Sequence, residues 1–247
     1  MKIIIHGIGG RMGAEVAKLT LSGMRGAELV CGVDLYGAFD GATTYKTFDE
    51  VEGKADCIID FSHHSATTAL LNYATKTATP VILATTGHTP EELEEIKLAS
   101  EKVAIFHAAN MSLGVALLIE LAKIAARTRP DAEIEIIEKH HDRKLDAPSG
   151  TALASANAIK TVRDEAFFVY GRGGQAKRTK EEIGIHAIRL GNIVGEHEVI
   201  VGTDSQTITL KHEAHTRALF AEGAIAAAEF IIGKAAGLYS MPDMIKI

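Results

Sequence analysis

The sequence has few cysteines, no long apolar segment and no excess of basic residues, and each absence excludes a class of protein. Its two cysteines, Cys31 and Cys57, both lie in apolar stretches, which predicts reduced buried thiols rather than a disulfide scaffold and favours a cytoplasmic location. No apolar run approaches the ~20 residues that cross a bilayer, so no membrane partner is expected. The formal net charge of −6 argues against a nucleic-acid partner, because phosphate backbones are bound by a broad basic face.

Short apolar strands alternate with helical patterns through the first hundred residues. Strands are predicted at 2–6, 28–33, 56–60, 80–84 and 103–106, and helices at 11–22, 65–77 and 90–101. The third helix has a clear start, because Thr89, Pro90 and Glu92 have the spacing of an N-cap, a first-turn proline and a capping box. This order predicts an α/β domain with a Rossmann-like parallel sheet covered by helices on both faces.

The pattern changes after Asn110. Helices are predicted at 113–127 and 151–162, and strands at 133–138, 183–190, 196–202 and 207–213, the last three with mainly hairpin-like spacing. These elements predict a second, smaller α+β domain with a mixed or antiparallel sheet. An alanine-rich helix is predicted from 217 to 236 with Gly237 as its C-cap, and the pattern does not indicate the domain on which it packs.

A glycine-rich turn joins the first strand to the first helix. It reads Gly7-Ile8-Gly9-Gly10-Arg11-Met12-Gly13. Glycines in this context let the backbone approach a pyrophosphate at a helix N-terminus. Asp34 ends the second strand about 20 residues further on, where a carboxylate would accept hydrogen bonds from an adenosine ribose. The order of elements therefore predicts a dinucleotide site, and the alternative is a tight turn without a ligand.

The residues after Asp34 bear on the choice of nucleotide. Leu35 and Tyr36 stand where an arginine would meet a 2′-phosphate, and the carboxylate itself would repel one. This favours NADH over NADPH. Arg11 or Lys46 could still reach a 2′-phosphate, so NADPH stays open as a second cofactor.

Three loops follow the third, fourth and fifth predicted strands, at the edge where open α/β sheets bind ligands. They read Asp60-Phe61-Ser62-His63-His64, Ala84-Thr85-Thr86-Gly87 and Ala108-Ala109-Asn110-Met111. The small residues of the last two loops permit close approach of a flat ring, and Thr86 and Asn110 could hold a carboxamide. These two loops are therefore predicted to contact the cofactor, whereas His63 and His64 are interpreted as caps of the following helix.

Residues 138–152 form a basic cluster in an otherwise acidic chain, and three interpretations compete for it. Zinc could bind His140, His141 and Asp142, but the spacing is not that of a zinc motif and neighbouring cations would repel a metal. A solvated charged loop is the second interpretation. The third, which we prefer, is a pocket for a small carboxylate, in which histidine and Lys144 exchange protons with the bound molecule.

The start of the next helix supports the anion pocket. Ser149, Gly150 and Thr151 supply hydroxyl and amide donors where a helix N-terminus attracts negative charge. Arg217, before the last helix, could serve an anion or lie on the surface. No metal is expected at this site.

The strings G-I-G-G-R-M-G, A-T-T-G, A-A-N-M-S-L-G-V and E-K-H-H-D-R-K-L-D-A-P-S-G-T-A together resemble the dihydrodipicolinate reductase (4-hydroxy-tetrahydrodipicolinate reductase) family, over nearly the whole chain. The resemblance implies NAD(P)H-dependent reduction of a dicarboxylate heterocycle to tetrahydrodipicolinate, in the diaminopimelate route to lysine. It also implies a dinucleotide domain of residues 1–111 joined by 217–247, and a domain of 112–216 that binds substrate and forms a homotetramer.

Individual roles follow from the same resemblance. It places the proton-handling histidine on His140 and the proton-donating lysine on Lys144. It places substrate contacts on His141, Gly150 and Thr151, to which the anion-pocket interpretation adds Ser149. It places cofactor contacts on residues 7–12, Asp34, Ala84, Thr85, Thr86, Ala108, Ala109, Asn110 and Met111. Ala84 stands where the family is expected to have glycine. The rival functions are another nicotinamide-dependent enzyme, such as an aspartate dehydrogenase, and a non-catalytic NADH-sensing protein.

Overall fold

The structure is a computed structural model that describes residues 1–245. The chain divides into two compact units. The first unit contains residues 1–112 and the residues from 217 onward, and the second contains residues 113–216. Within the described residues, no helix has the length and apolar composition that a membrane crossing requires.

The first unit is built on a sheet of seven parallel strands. In chain order they are β1 (Lys2–His6), β2 (Glu28–Val33), β3 (Thr44–Tyr45), β4 (Cys57–Asp60), β5 (Val81–Leu83), β6 (Ala104–His107) and β12 (Gly237–Tyr239). Their order across the sheet is β12-β6-β5-β4-β1-β2-β3. Ile3, Ile4 and Ile5 are all fully buried, which shows that β1 is covered on both faces, as the apolar run predicts.

Five α-helices lie in the described residues of this unit. They are α1 (Arg11–Leu21), α2 (Thr67–Thr77), α3 (Pro90–Ser100), α6 (Ala218–Ile231) and α7 (Met241–Met244). The helices α1 and α6 pack on each other, as do α2 and α3. The predicted capping box of α3 is confirmed, because Thr89 accepts from the amide of Glu92 and the Glu92 carboxylate accepts from the amide of Thr89.

The predicted end of the last long helix is wrong. The helix α6 ends at Ile231, and Gly233 follows in the left-handed region with a φ of 81°. Gly237 is not a helix cap, because it opens β12 and pairs with Ala104 of β6. The alanines at 235 and 236 suggested a longer helix, but the left-handed glycine turns the chain before they are reached.

The second unit has a five-stranded mixed sheet, which confirms the predicted α+β class. Its strands are β7 (Glu133–His140), β8 (Phe167–Tyr170), β9 (Glu182–Arg189), β10 (Gly195–Thr203) and β11 (Gln206–Ala214), in the order β11-β10-β7-β9-β8. The strands β10 and β11 form a hairpin, whereas β9 pairs parallel to β7 instead of turning back on β10. The helices α4 (Leu113–Thr128) and α5 (Gly150–Lys160) share a core with Ile134, Ile136 and Val199 on one face of this sheet.

Candidate active site

The glycine turn has the geometry that close backbone approach requires. Gly7 lies in the left-handed region with a φ of 79°, and its amide donates to the carbonyl of Val33 at 2.8 Å. A Cβ on Gly9 would lie 2.6 Å from Cα of Gly37, and one on Gly13 would collide with the carbonyl of Gly7. Gly10 caps α1 without a side-chain hydrogen bond. The helix start is therefore open to an anion, and the residues present fit a nucleotide pyrophosphate.

Asp34 holds the turn and the following loop together. Its Oδ2 accepts from the amide of Gly9 at 2.9 Å, and its Oδ1 accepts from the amides of Tyr36 and Gly37 at 3.0 and 2.7 Å. Burial raises the pKa of the carboxyl, but these bonds and the nearby His6 outweigh it and lower the pKa overall. A carboxylate has about four acceptor sites, so three internal bonds leave room for one ribose hydroxyl.

Two cavities lie at the carboxyl ends of the strands of the first unit. They adjoin each other, because Phe61 and Ser62 line both. The first measures about 510 Å³ and includes Gly7, Gly10 and Asp34 in its wall. The second measures about 470 Å³ and is lined by Arg11, Met12, Phe61, Ser62, Ala84, Thr85, Thr86, Ala109, Met111 and Phe220. The structure thus brings the glycine turn and the two predicted strand-end loops to one continuous surface.

Four predicted cofactor contacts, Ile8, Gly9, Ala108 and Asn110, lie outside the walls of both cavities. The side chain of Ile8 is buried against Gly32, so a contact there would come from its backbone. The amide of Ala108 donates to the carbonyl of Leu83, and the side-chain oxygen of Asn110 accepts from the amide of Ser112 at 2.9 Å. The amide of Gly9 donates to the carboxylate of Asp34.

The buried carboxylate of Asp60 hydrogen-bonds two residues of the second cavity's wall. Asp60 accepts from the hydroxyl of Thr85 at 2.6 Å and from the amide of Ser62 at 3.2 Å. Its Oδ1 lies 2.8 Å from Nδ1 of His6. The prediction that His63 and His64 cap the following helix is wrong, because the N-cap of α2 is Ala66. His63 caps the short 3-10 turn at residues 64–66, and His64 pairs with Glu92 of α3 at 3.0 Å.

The basic cluster in the second unit divides into two parts. An inner cluster contains His140 and Lys144, and an outer part contains Lys139, Asp142 and Arg143. Strand alternation places His140 on the buried face of β7 and Lys139 on the opposite face, where its ammonium lies 3.0 Å from Glu196. Asp142 and Arg143 pair with each other at the surface. Lys144 is mostly buried, and its ammonium lies 2.8 Å from Oδ1 of Asp146. The inner part of the cluster therefore contains the imidazole of His140 and the ammonium of Lys144, each paired with a carboxylate.

The inner part meets the start of α5. Ser149 is the N-cap, because its hydroxyl accepts from the amide of Ala152 at 3.3 Å, and Gly150 and Thr151 form the first turn. His141 follows directly after β7, and its amide donates to the carbonyl of Ile193 at 2.8 Å. Within residues 1–245, no group of three or more His, Cys, Asp or Glu side chains could hold a metal ion.

Both halves of the chain match models of one family. The N-terminal model of dihydrodipicolinate reductase covers residues 1–111, and the C-terminal model covers residues 114–245. The chain belongs to the dihydrodipicolinate reductase family. This family consists of pyridine-nucleotide-dependent reductases with an NAD(P)-binding domain, and the resemblance read from the sequence motifs is confirmed.

Relatives in the dihydrodipicolinate reductase family extend over the full chain. A 4-hydroxy-tetrahydrodipicolinate reductase from Caldanaerobacter subterraneus subsp. tengcongensis is 46% identical over 100% of this chain and 98% of its own length. One from Clostridium novyi is 44% identical over 99% and 98%. The solved structure of dipicolinate-bound dihydrodipicolinate reductase from Paenisporosarcina sp. TG-14 has a TM-score of 0.84, with 25% identity and 99% coverage of each chain.

Sequence reasoning missed the centre of this reductase's inner cluster. Glu138 is fully buried and accepts from Arg189 and the amide of Ser149, and its Oε2 lies 2.6 Å from Nδ1 of His140. His197 is also buried and hydrogen-bonds the Ser149 hydroxyl at 3.0 Å. A signal was present, because strand period places Glu138 and His140 on the same face as the core residues of β7.

Proposed function

We propose that the protein reduces 4-hydroxy-tetrahydrodipicolinate, or the dihydrodipicolinate formed from it by loss of water, to tetrahydrodipicolinate in the diaminopimelate route to lysine, in the cytoplasm. The observation that carries the proposal is the inner cluster, in which Glu138 joins His140 to the start of α5 beside Lys144. In this proposal residues 1–111 with 217–247 bind the nucleotide, and residues 112–216 bind the substrate.

The residues of the second unit would bind and protonate the substrate. Its carboxylates would be received by Gly150 and Thr151 at the start of α5 and by His141, where donors favour anions. Ser149, whose amide donates to Glu138 and whose hydroxyl is hydrogen-bonded to His197, would hold the start of α5 in place. The bound nicotinamide nucleotide would supply the hydride. Lys144 would give a proton to the carbon on which negative charge develops, with His140 sharing in the proton transfer.

Alanine substitutions test these roles. Lys144→Ala and His140→Ala should each lower kcat by about 10²-fold or more, because a positioned proton donor contributes about 10² to 10⁴, while KM for NADH changes little. The matched control is Lys139→Ala, which removes a lysine of the same stretch that pairs with Glu196 on the other face of β7. Oxidation of NADH in the presence of the condensation product of pyruvate and aspartate semialdehyde is the assay. Normal turnover by both site variants would contradict the assignment.

For the cofactor we propose that NADH is preferred and that NADPH is accepted less well. Asp34 would repel a 2′-phosphate, but the ammonium of Lys46 donates to the carbonyl of Leu35 at 3.1 Å and so lies beside the same loop. Lys46→Met should therefore lower kcat/KM for NADPH and leave that for NADH unchanged. A preference of the wild-type protein for NADPH would contradict the proposal.

The assembly we propose is a homotetramer formed through the second unit. The helices α4 and α5 cover one face of its sheet, and the opposite face carries partly exposed Ile137, Ile188 and Ile200 on neighbouring strands. Apolar surface of this kind is commonly buried against another subunit. Light scattering coupled to size exclusion should give four times the mass of one chain, and Ile200→Glu should reduce it. A monomeric wild-type protein would contradict the proposal.

A further inference from the structure

The buried carboxylate of Glu138 is saturated by four hydrogen-bond donors. Its Oε2 lies 2.6 Å from Nδ1 of His140 and accepts from Nη1 of Arg189 at 2.8 Å. Its Oε1 accepts from Nη2 of Arg189 at 2.8 Å and from the amide of Ser149 at 3.0 Å. The side chain is fully buried, so these four donors replace the water that a carboxylate otherwise binds.

We infer that Glu138 is a positioning residue for the proposed reduction, which fixes the tautomer and orientation of His140 so that Nε2 is the nitrogen that exchanges the proton. The inference rests on the proposed function and adds to it a residue that acts only through His140. It parallels the general arrangement in which a buried carboxylate orients a catalytic imidazole.

The protonation state of the pair follows from the surroundings of Glu138. Burial raises the pKa of this carboxyl, but the hydrogen bonds from His140, Arg189 and Ser149 outweigh burial and lower it to about 2. An ionised carboxylate only accepts hydrogen bonds, so the hydrogen between the two side chains lies on Nδ1. In the neutral imidazole, Nε2 then carries the lone pair.

No side chain of residue 195 covers Nε2 of His140, the nitrogen inferred to exchange the proton. Gly195 borders this nitrogen, and a Cβ at that position would lie 3.1 Å from it. The ring of His197 stands edge-on to His140, with centroids 5.2 Å apart. The imidazole is therefore held from the Nδ1 side by Glu138 and is flanked at Nε2 by a residue without a side chain.

Arg189 links Glu138 by hydrogen bonds to the loop that carries Lys144. Its paired bonds neutralise the buried charge of Glu138, and its Nη2 also donates to the carbonyl of Asp146 at 2.6 Å. The side chain of Asp146 in turn pairs with the ammonium of Lys144. One buried carboxylate thus joins the end of β7, the start of α5 and the segment that holds the proposed proton donor.

The test compares Glu138→Gln with Glu135→Gln. Both residues are glutamates of β7 that pair with a histidine and an arginine, but Glu135 lies on the opposite face and contacts His186 and Arg178. Glutamine at 138 keeps the shape and presents an N–H donor to groups that are themselves donors. We expect kcat to fall about 10²-fold or more for Glu138→Gln, with KM for substrate and for NADH within about twofold of wild type, and no change in kcat for Glu135→Gln at unchanged oligomeric mass.

A spectroscopic measurement keeps the inference open to refutation even if Glu138→Gln folds poorly. In ¹⁵N-histidine-labelled wild-type protein, assigned by comparison with His140→Asn, Nδ1 of His140 should carry the hydrogen and Nε2 should have the shift of an unprotonated nitrogen at high pH. The opposite tautomer would overturn the inference, as would equal losses of kcat in both glutamine variants. Normal turnover by Glu138→Gln, with His140→Ala inactive, would overturn the inference and leave the proposed function standing. A wild-type protein that does not reduce the substrate would refute the function, and the tautomer would still decide the inference.

Discussion

His197 makes the second unit sensitive to acid. The side chain lies on the buried face of β10, hydrogen-bonded to the hydroxyl of Ser149 and edge-on to the ring of His140. Burial lowers the pKa of His197 from 6.5 to about 4, and the nearby charge of His140 adds to the effect. The folded protein therefore keeps this imidazole neutral over a pH range in which the unfolded chain would protonate it.

The direction and size of the effect follow from that difference. As the pH falls through 6.5, the unfolded state binds a proton that the folded state does not bind until about pH 4. Stability from this residue is thus complete above about pH 6.5 and is lost progressively down to about pH 4. At about 1.4 kcal/mol per pKa unit, the free energy of unfolding should fall by about 3 kcal/mol across this interval.

Urea unfolding of the wild-type protein and of His197→Phe, at pH 7 and at pH 4, measures this contribution. The signal should be far-UV circular dichroism, since the sequence has no tryptophan. Phenylalanine keeps an aromatic ring but does not titrate, and acid effects at other groups, such as Glu138, are common to both proteins and cancel. The wild type should lose about 3 kcal/mol more than the variant. A difference below about 1 kcal/mol would refute the reasoning.

Three further substitutions test separate parts of the structure. Thr89→Ala removes the capping box of α3 and should lower the free energy of unfolding by about 1 kcal/mol in urea; no change would mean that the cap contributes nothing. Gly9→Ala places a methyl group 2.6 Å from Cα of Gly37 and should weaken NADH binding at least about tenfold in a fluorescence titration, and wild-type affinity would argue against a nucleotide at the turn. Gly195→Ala brings a methyl group 3.1 Å from Nε2 of His140 and should lower kcat about tenfold with KM for NADH unchanged, whereas unaltered kcat would show that Nε2 does not need this space.

The parts of the fold that local chemistry determines could be predicted from the sequence. The strands Lys2–His6 and Glu28–Val33 have the predicted bounds, because glycine or polar residues border each apolar run and mark where the strand ends. The start of α3 is equally local. The three-residue strand Gly237–Tyr239 could not be predicted, because its only reason to be extended is pairing with β6, more than a hundred residues away in the sequence.

The candidate site shows the same division. His140, Lys144 and Ser149 could be found because they lie in one short string whose composition differs from that of the rest of the chain. The role of Glu138 could not, since its guanidinium partner Arg189 is 51 residues away and reaches it only because β9 pairs with β7. Phe220 likewise borders the second cavity only because α6 returns to the first unit.

That return has a consequence for synthesis of the chain. A ribosome delivers every strand and helix of the second unit before it delivers α6 and β12, which pack against α1 and pair with β6 in the first. The first unit therefore lacks one edge strand and one packed helix at the stage of synthesis when the second unit already has all its strands and helices. Ribosome-bound chains whose residues 1–216 have emerged from the ribosome would hold a complete second unit and an incomplete first unit.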